Sequence, residues 1–301
     1  MHNVSLYKKF GLSKKYYSSV SASDFEGLEE EVNIYDKKNS KQELFKSDRF
    51  LELDEKIQKE LLLWSDNGYV VLKNYFSSEE VDRFNGKIDE LLEAKKVKFE
   101  NGNKIMFAIH KSKLLFNIGA HKKIISILET LLNKQVSLFQ SINFLTGSQQ
   151  GAHSDSISMS TFPKGNLIAI WVALEDIDEK NGPLYYYKGS HKLPYFMNKN
   201  FNNEGSLFFL GTKGYDEYLK NIQNLLDVNQ LEKQHFLAKK GDVLIWHANL
   251  VHGGEKVLDK NRTRKSMVFH YYAKDAIAFH EITQRPTLKQ NLEGLFESLK
   301  E

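Results

Sequence analysis

Residues 1 to about 45 are mainly polar with no sustained hydrophobic period, are rich in Ser, Lys and Tyr, and include an acidic run at Glu29 to Glu31. They read as an arm or lid laid against a single catalytic domain spanning 46–301. From Phe50 the apolar positions Leu51, Ile57, Leu61, Leu62 and Leu63 recur at near-helical spacing until Asn67-Gly68 stops them, and Tyr69 to Leu72 reads as a strand. Ser77 and Glu80 have the spacing of a capping box, which predicts a helix to about Ala94 buried through Val81, Phe84, Ile88 and Leu91. A further helix is expected from about His121 to Asn133.

Beyond Asn133 the period changes. Val136 to Leu145, Leu167 to Ile177, Leu184 to Tyr187, Asp242 to Trp246 and Arg264 to Tyr272 are short, rich in β-branched and aromatic residues, and bounded by turn-forming residues. Between them, residues 194–234 are too long for a hairpin loop and contain a helical pattern from Asp216 to Leu226, so this insertion is expected to cover something. After Pro286, Leu288, Leu292, Leu295, Phe296 and Leu299 form the stripe of a last amphipathic helix. Helices first and strands later predict an α+β chain with a mainly β core: a double-stranded β-helix of the jelly-roll or cupin-like kind, with helices packed on one outer face.

Composition narrows the chemistry. With 41% hydrophobic residues in 301, the chain can fill a large core. Its 42 basic and 39 acidic residues leave a formal charge of +3, which argues against nucleic acid as a partner. There is no cysteine, so any metal must be held by histidine and carboxylate. The longest apolar stretch, Leu167 to Leu174, is far below the roughly 20 residues of a membrane-spanning helix. The first residues lack the apolar centre of a secretory signal, so no membrane partner and a cytoplasmic location are expected.

Of ten histidines, only His153 is followed two positions later by a carboxylate, Asp155. On extended chain the two project from one face and could grip a cation. Alone, such a pair is as readily a polar surface strand. The segment GDVLIWHANLVHGG offers a third ligand, either His252, flanked by glycines, or His247. Two histidines and one aspartate occupy one triangular face of an octahedral ion and leave the other positions open, which suits non-haem Fe(II) and oxygen chemistry. Arg264, at the head of a strand, could hold the far end of a dicarboxylate through paired hydrogen bonds; it could equally be an exposed arginine in a basic turn with Lys260, Arg262 and Lys265.

The ordered blocks HSD at 153–155, IWVALEDIDEKNGPLYYYKGSHK at 170–192, GDVLIWHANLVHGG at 241–254 and RTRKSMVFHYY at 262–272 together resemble the phytanoyl-CoA dioxygenase family. The resemblance implies an oxygenase dependent on Fe(II), 2-oxoglutarate and O2, hydroxylating a small-molecule substrate with release of succinate and CO2. It further implies metal ligation by His153, Asp155 and His252, and 2-oxoglutarate binding by Arg264 with Gln140 and Trp171 nearby. His247 then becomes a packing residue, and His191 a loop residue beside the site or a loop-stabilising one. A carboxylate at Asp155 implies hydroxylation rather than halogenation. Two departures from the family pattern stand out: Lys188 replaces a frequent proline before Gly-Ser-His, and the His252 to Arg264 spacing is one residue longer, which keeps Arg262 as an alternative anchor. The competing readings are a non-catalytic cupin-like protein binding a metal or small ligand, and a metal-dependent isomerase or hydrolase that does not need Arg264. Substrate identity and oligomeric state are not legible.

Overall fold

The computed structural model describes residues 3–15, 17–28, 32–37, 40–100, 102–204 and 214–287. The expected C-terminal helix and the acidic run at Glu29 to Glu31 lie outside the described residues. The capping box closes as expected: Glu80 N–H donates to Ser77 Oγ and Ser77 N–H to the Glu80 carboxylate, opening the helix Ser78–Glu93. The helix Lys122–Leu132 ends on Asn133, which is left-handed at φ 50°. In place of one helix from Phe50, three short ones form, Asp48–Leu51, Glu55–Leu61 and Trp64–Asn67. The first break is held by Gln58, whose side-chain amide donates to the carbonyls of Phe50, Leu51 and Leu53 and so satisfies the interrupted turn.

Among the described residues thirteen strands, numbered in chain order, make three sheets. The large antiparallel sheet runs, edge to edge, β1 (Tyr69–Leu72), β9 (Val243–His247), β6 (Leu167–Ala173), β11 (Ser266–Ala273), β4 (Val136–Phe144), β3 (Lys104–Met106) and β2 (Phe99–Glu100). A second sheet orders β10 (His252–Gly254), β7 (Leu184–Tyr187) and β8 (Lys233–Phe236); a third orders β13 (Arg285–Pro286), β12 (Ile277–His280) and β5 (Ser160–Phe162).

Alternation along each strand of the large sheet decides what each face meets. Val70, Ile168, Ile170, Val172, Ile245, Met267 and Phe269 point into a core shared with the helices, through residues such as Phe84, Leu91, Ile127 and Leu131. Their neighbours Ala169, Trp171, Leu244, Trp246 and Val268 point the other way, where they meet Leu184, Tyr186 and Phe236 of the second sheet. Helices therefore cover one face, and the space between the two sheets holds the site. The N-terminal segment buries Leu6, Tyr7, Val20 and Phe25 against Phe162, Ile277 and Phe279 of the third sheet. The insertion helix Tyr215–Val228 buries Tyr218, Ile222 and Leu226 against Ala152, Ile157, Tyr185 and Val251. Among the described residues no helix is long and apolar enough to cross a membrane.

Candidate active site

His153 and His252 face each other as an antiparallel pair: the N–H of each donates to the carbonyl of the other at 2.9 Å. Side chains directly opposite in such a pair project to one side, and the two imidazole centroids stand 4.6 Å apart. Ser154 is extended (φ −101°, ψ 149°), and the chain then turns through Asp155–Ile157. The Asp155 carboxylate thereby joins the imidazoles, and one ligand atom from each of His153, Asp155 and His252 lies within 4.8 Å of the others, all three residues being buried.

The glycines after His252 act by size. Neither Gly253 nor Gly254 has a positive φ. A Cβ on Gly253 would stand 2.4 Å from the Tyr185 hydroxyl and 2.7 Å from the Gln150 carbonyl, and one on Gly254 2.3 Å from Ser148 Oγ. Close approach of β10 to its neighbours, rather than a bend, is what aims His252 inward.

Each imidazole is fixed on the atom turned away from the cluster. His153 Nδ1 contacts the Gly151 carbonyl at 2.8 Å, and His252 Nδ1 the Leu250 carbonyl at 3.0 Å. A carbonyl only accepts, so both rings carry their proton on Nδ1 and keep the Nε2 lone pair for a cation. Burial foremost, and then His252, lowers the His153 pKa to about 4, which leaves it neutral at pH 7. Burial alone would raise Asp155, yet His252, His270 and His153 outweigh it and hold this carboxyl well below the usual range. Tyr218, the fourth residue of the insertion helix, also reaches this segment: Ser154 N–H donates to its Oη at 3.1 Å.

The cluster opens on a cavity of about 460 Å³ whose wall includes Gln140, Trp171, Arg264, Lys104, Tyr215 and His270. Arg264 is only 2% exposed. Its guanidinium lies over the rings of Phe144 and Trp171, and its NH1 donates to Ser266 Oγ at 2.9 Å. Among the described residues it makes no salt bridge, and burial lowers its pKa to about 10, which still leaves it charged. Arg264 Nε, Trp171 Nε1 and Gln140 Oε1 are buried without a hydrogen-bond partner among the described residues. Unsatisfied groups of this kind cost stability unless a ligand completes them. A cationic, donor-rich wall beside a His-Asp-His cluster fits both a divalent iron and an anionic co-substrate.

The other candidates lie elsewhere. Arg262 pairs with Asp178 at 2.6 Å on the surface. His247 Nε2 contacts Asp36 Oδ2 at 3.2 Å, and His191 lies beside His247 with ring centroids 5.4 Å apart and the planes tilted by 58°. Neither histidine lines the cavity. Sequence reading missed Trp246, whose Nε1 donates to Asp155 Oδ2 at 2.8 Å, as well as His270 and Lys104. The signal for His270 was available, because a period of two from Arg264 runs through Ser266 and Val268 to His270 on one face. Lys104 offered none, since it lies on a three-residue strand opposite Phe144.

Comparison with known proteins bears on the family and the fold. The family model described as phytanoyl-CoA dioxygenase matches residues 64–266. Rat peroxisomal phytanoyl-CoA dioxygenase is 22% identical over 243 residues, covering 70% of this chain and 67% of its own length. Among solved structures, the non-heme alpha-ketoglutarate-dependent carbocyclase SnoK from nogalamycin biosynthesis superposes with a TM-score of 0.60 at 18% identity, covering 83% of this chain and 93% of that one. EctD from S. alaskensis, solved with 2-oxoglutarate and 5-hydroxyectoine, gives 0.56 at 19% identity, covering 73% and 76%. These structural likenesses concern the fold. The family match runs from the helix Trp64–Asn67 to the first residue of β11 and takes in His153, Asp155, His252 and Arg264, and the chain belongs to the phytanoyl-CoA dioxygenase family.

Proposed function

We propose that this member of a dioxygenase family uses Fe(II), 2-oxoglutarate and O2 to hydroxylate a small molecule, with His153, Asp155 and His252 as the iron ligands. The observation that carries the reading is the pairing, in one cavity, of that cluster with Arg264, a buried cation lacking a salt bridge among the described residues. A charge so placed is costly unless an anion neutralises it, and a dicarboxylate that also reaches the metal does so. When bound, iron would supply the redox chemistry that couples reduction of O2, the oxidant, to oxidation of 2-oxoglutarate to succinate and CO2 and of the substrate, one oxygen atom going to each.

The chain's own residues do the rest. Arg264, steadied by Ser266 Oγ, holds the distal carboxylate, with Gln140 and Trp171 completing the wall. Lys104, half-buried on the same wall, adds a second positive charge; burial lowers its pKa. Tyr215 edges onto the His153 ring at 6.4 Å between centroids and shields that side from water. A carboxylate at Asp155 fills a coordination position and so supports hydroxylation. The EctD structure bound to 2-oxoglutarate and a hydroxylated product supports the same chemistry on this fold. A metal-dependent isomerase or hydrolase that works without 2-oxoglutarate does not need Arg264, which weighs against that reading.

The experiment is succinate formation from 2-oxoglutarate with added Fe(II), with and without O2, across candidate substrates. Oxygen-dependent succinate that disappears in Asp155→Ala is expected. Undiminished turnover in Asp155→Ala, or absence of 2-oxoglutarate binding by the Fe(II)-loaded protein, overturns the assignment.

A further inference from the structure

Asp155 is held on one oxygen by two nitrogens from different strands. Trp246 Nε1, from β9, donates to Oδ2 at 2.8 Å, and His270 Nε2, from β11, stands 3.6 Å from that same oxygen. The other oxygen, Oδ1, lies 3.8 Å from His252 Nε2. The carboxylate is thus divided, with Oδ2 turned to the wall and Oδ1 to the candidate imidazoles. His153 and His252 are treated alike, each pinned by a backbone carbonyl on its outward nitrogen. For Asp155 the pins are side chains, because no backbone group of the turn Asp155–Ile157 reaches Oδ2 among the hydrogen bonds of the described residues.

Of these two pins, Trp246 also packs in the apolar cluster between the sheets, so its indole has a second reason to be there. His270 has looser neighbours: the rings of Phe139 and Trp246 stand 6.1 and 6.4 Å away between centroids. It is 2% exposed, and its Nδ1 is buried without a hydrogen-bond partner among the described residues. An imidazole left half-satisfied is a poor filler for a strand otherwise rich in Met, Val, Phe and Tyr. Its polar neighbour is the carboxylate. At 3.6 Å the contact is electrostatic rather than a full hydrogen bond, and it pulls on the oxygen that Trp246 already holds.

We propose that His270 is a positioning residue for Asp155: with Trp246 it fixes Oδ2 and keeps Oδ1 as the single oxygen presented to the metal. The inference rests on the reading of His153, Asp155 and His252 as an iron centre. A carboxylate released from one pin can rotate and offer both oxygens, which changes affinity and coordination geometry without removing a ligand.

The test is Co(II) titration of the full chain, followed by visible absorption, alongside thermal melting of the metal-free protein. His270→Phe, close in size and unable to donate, is expected to raise the Co(II) Kd by about tenfold or more and to change the shape of the visible band. Its metal-free melting temperature should stay near that of the parent. His270→Gln, which can place an N–H where Nε2 stands, is expected to restore both affinity and band shape. Parent-like Co(II) affinity and spectrum in His270→Phe overturn the proposal. So does a loss of affinity that follows a fallen melting temperature, leaves the band shape alone and is not recovered by His270→Gln. If Asp155→Ala binds Co(II) as tightly as the parent, the iron-centre reading itself fails, an outcome separate from any result at position 270.

Discussion

Asp36 Oδ2 lies 3.2 Å from His247 Nε2, and the other side of that imidazole decides what the contact is. Asn249 N–H donates to His247 Nδ1 at 3.0 Å, so the ring proton sits on Nε2 and is donated to Asp36. His247 thus spends Nδ1 on its own chain at Asn249 and Nε2 on holding the N-terminal turn Ile34–Asp36 to the end of β9. A lone pair for a metal is left on neither.

Replacing Asp36 with alanine leaves a buried imidazole N–H unpaired, at a cost of about 1–3 kcal/mol. Chemical denaturation should show that loss, while Co(II) affinity stays at the parental value. Burial alone would raise the Asp36 pKa, but His247 overrides it and the net shift is downward. The stability this carboxylate contributes is therefore present above the ordinary carboxylate range and is lost as pH falls through its lowered folded value. The difference between parent and Asp36→Ala should narrow on acidification. A variant that loses metal binding instead would restore His247 as a ligand.

Gly253→Ala tests how the site's second imidazole is aimed. The added methyl has nowhere to go, with the Tyr185 ring at 2.4 Å and the Gln150 carbonyl at 2.7 Å. Tyr185 and the strand β10 must separate, and His252 moves with its neighbour. Co(II) affinity should fall by about tenfold or more, with a stability loss of about 1–3 kcal/mol for overpacking. Unaltered metal binding would mean that β10 tolerates the shift and that its glycines are not what positions His252.

The two arginines flanking Thr263 should separate cleanly. Arg264 is buried on the cavity wall, whereas Arg262 is bound to Asp178 at the surface. Arg264→Leu should raise the 2-oxoglutarate concentration needed for half-maximal turnover by two orders of magnitude or so, the cost of losing a paired charge-assisted contact of about 3 kcal/mol. Arg262→Leu removes a solvent-screened surface pair and should leave the co-substrate requirement unchanged. The reverse pattern in steady-state kinetics would transfer the anchor to Arg262.

Much of this was legible along the chain because the strands of the large sheet are short runs rich in β-branched and aromatic residues. Which side each residue faces was not: Leu167–Ala173 is apolar throughout, and only the structure turns Ile168, Ile170 and Val172 to the helices and Ala169 and Trp171 to the second sheet. His153, Asp155, His252, Arg264, Gln140 and Trp171 all come to one cavity wall, as the family resemblance implied. What escaped was of two kinds. The hairpin β2–β3 is short and its first strand exposed, so Phe99 and Glu100 carry no period, and Lys104 was hidden with them. Trp246 and His270 were visible but ambiguous: an aromatic in an apolar strand is more often core, and only the third dimension brings both to one oxygen of Asp155. The break at Glu52–Asp54 was likewise unreadable, since it depends on Gln58 reaching back to three carbonyls.

Glu281 makes the last prediction, a pH dependence. Its carboxylate receives Ala22 N–H at 2.8 Å on one oxygen and Asn198 N–H at 3.2 Å on the other, tying the N-terminal segment and the insertion to the chain just after β12. Burial raises its pKa from 4.5 to about 7 despite those two donors. A carboxyl raised in the folded state contributes stability that is fully present below the unfolded value and is lost as pH climbs through the folded one. The full span corresponds to about 3 kcal/mol. Between pH 6 and 8 the amides of Ala22 and Asn198 should therefore exchange with solvent faster than the intrinsic pH effect requires, and Glu281→Gln should remove the excess. Because His280 and Ile282 on either side of it line the cavity, loosening here reaches the substrate side of the site as well. Exchange that follows the intrinsic slope in both proteins would show that the two backbone donors, rather than burial, set the charge of Glu281.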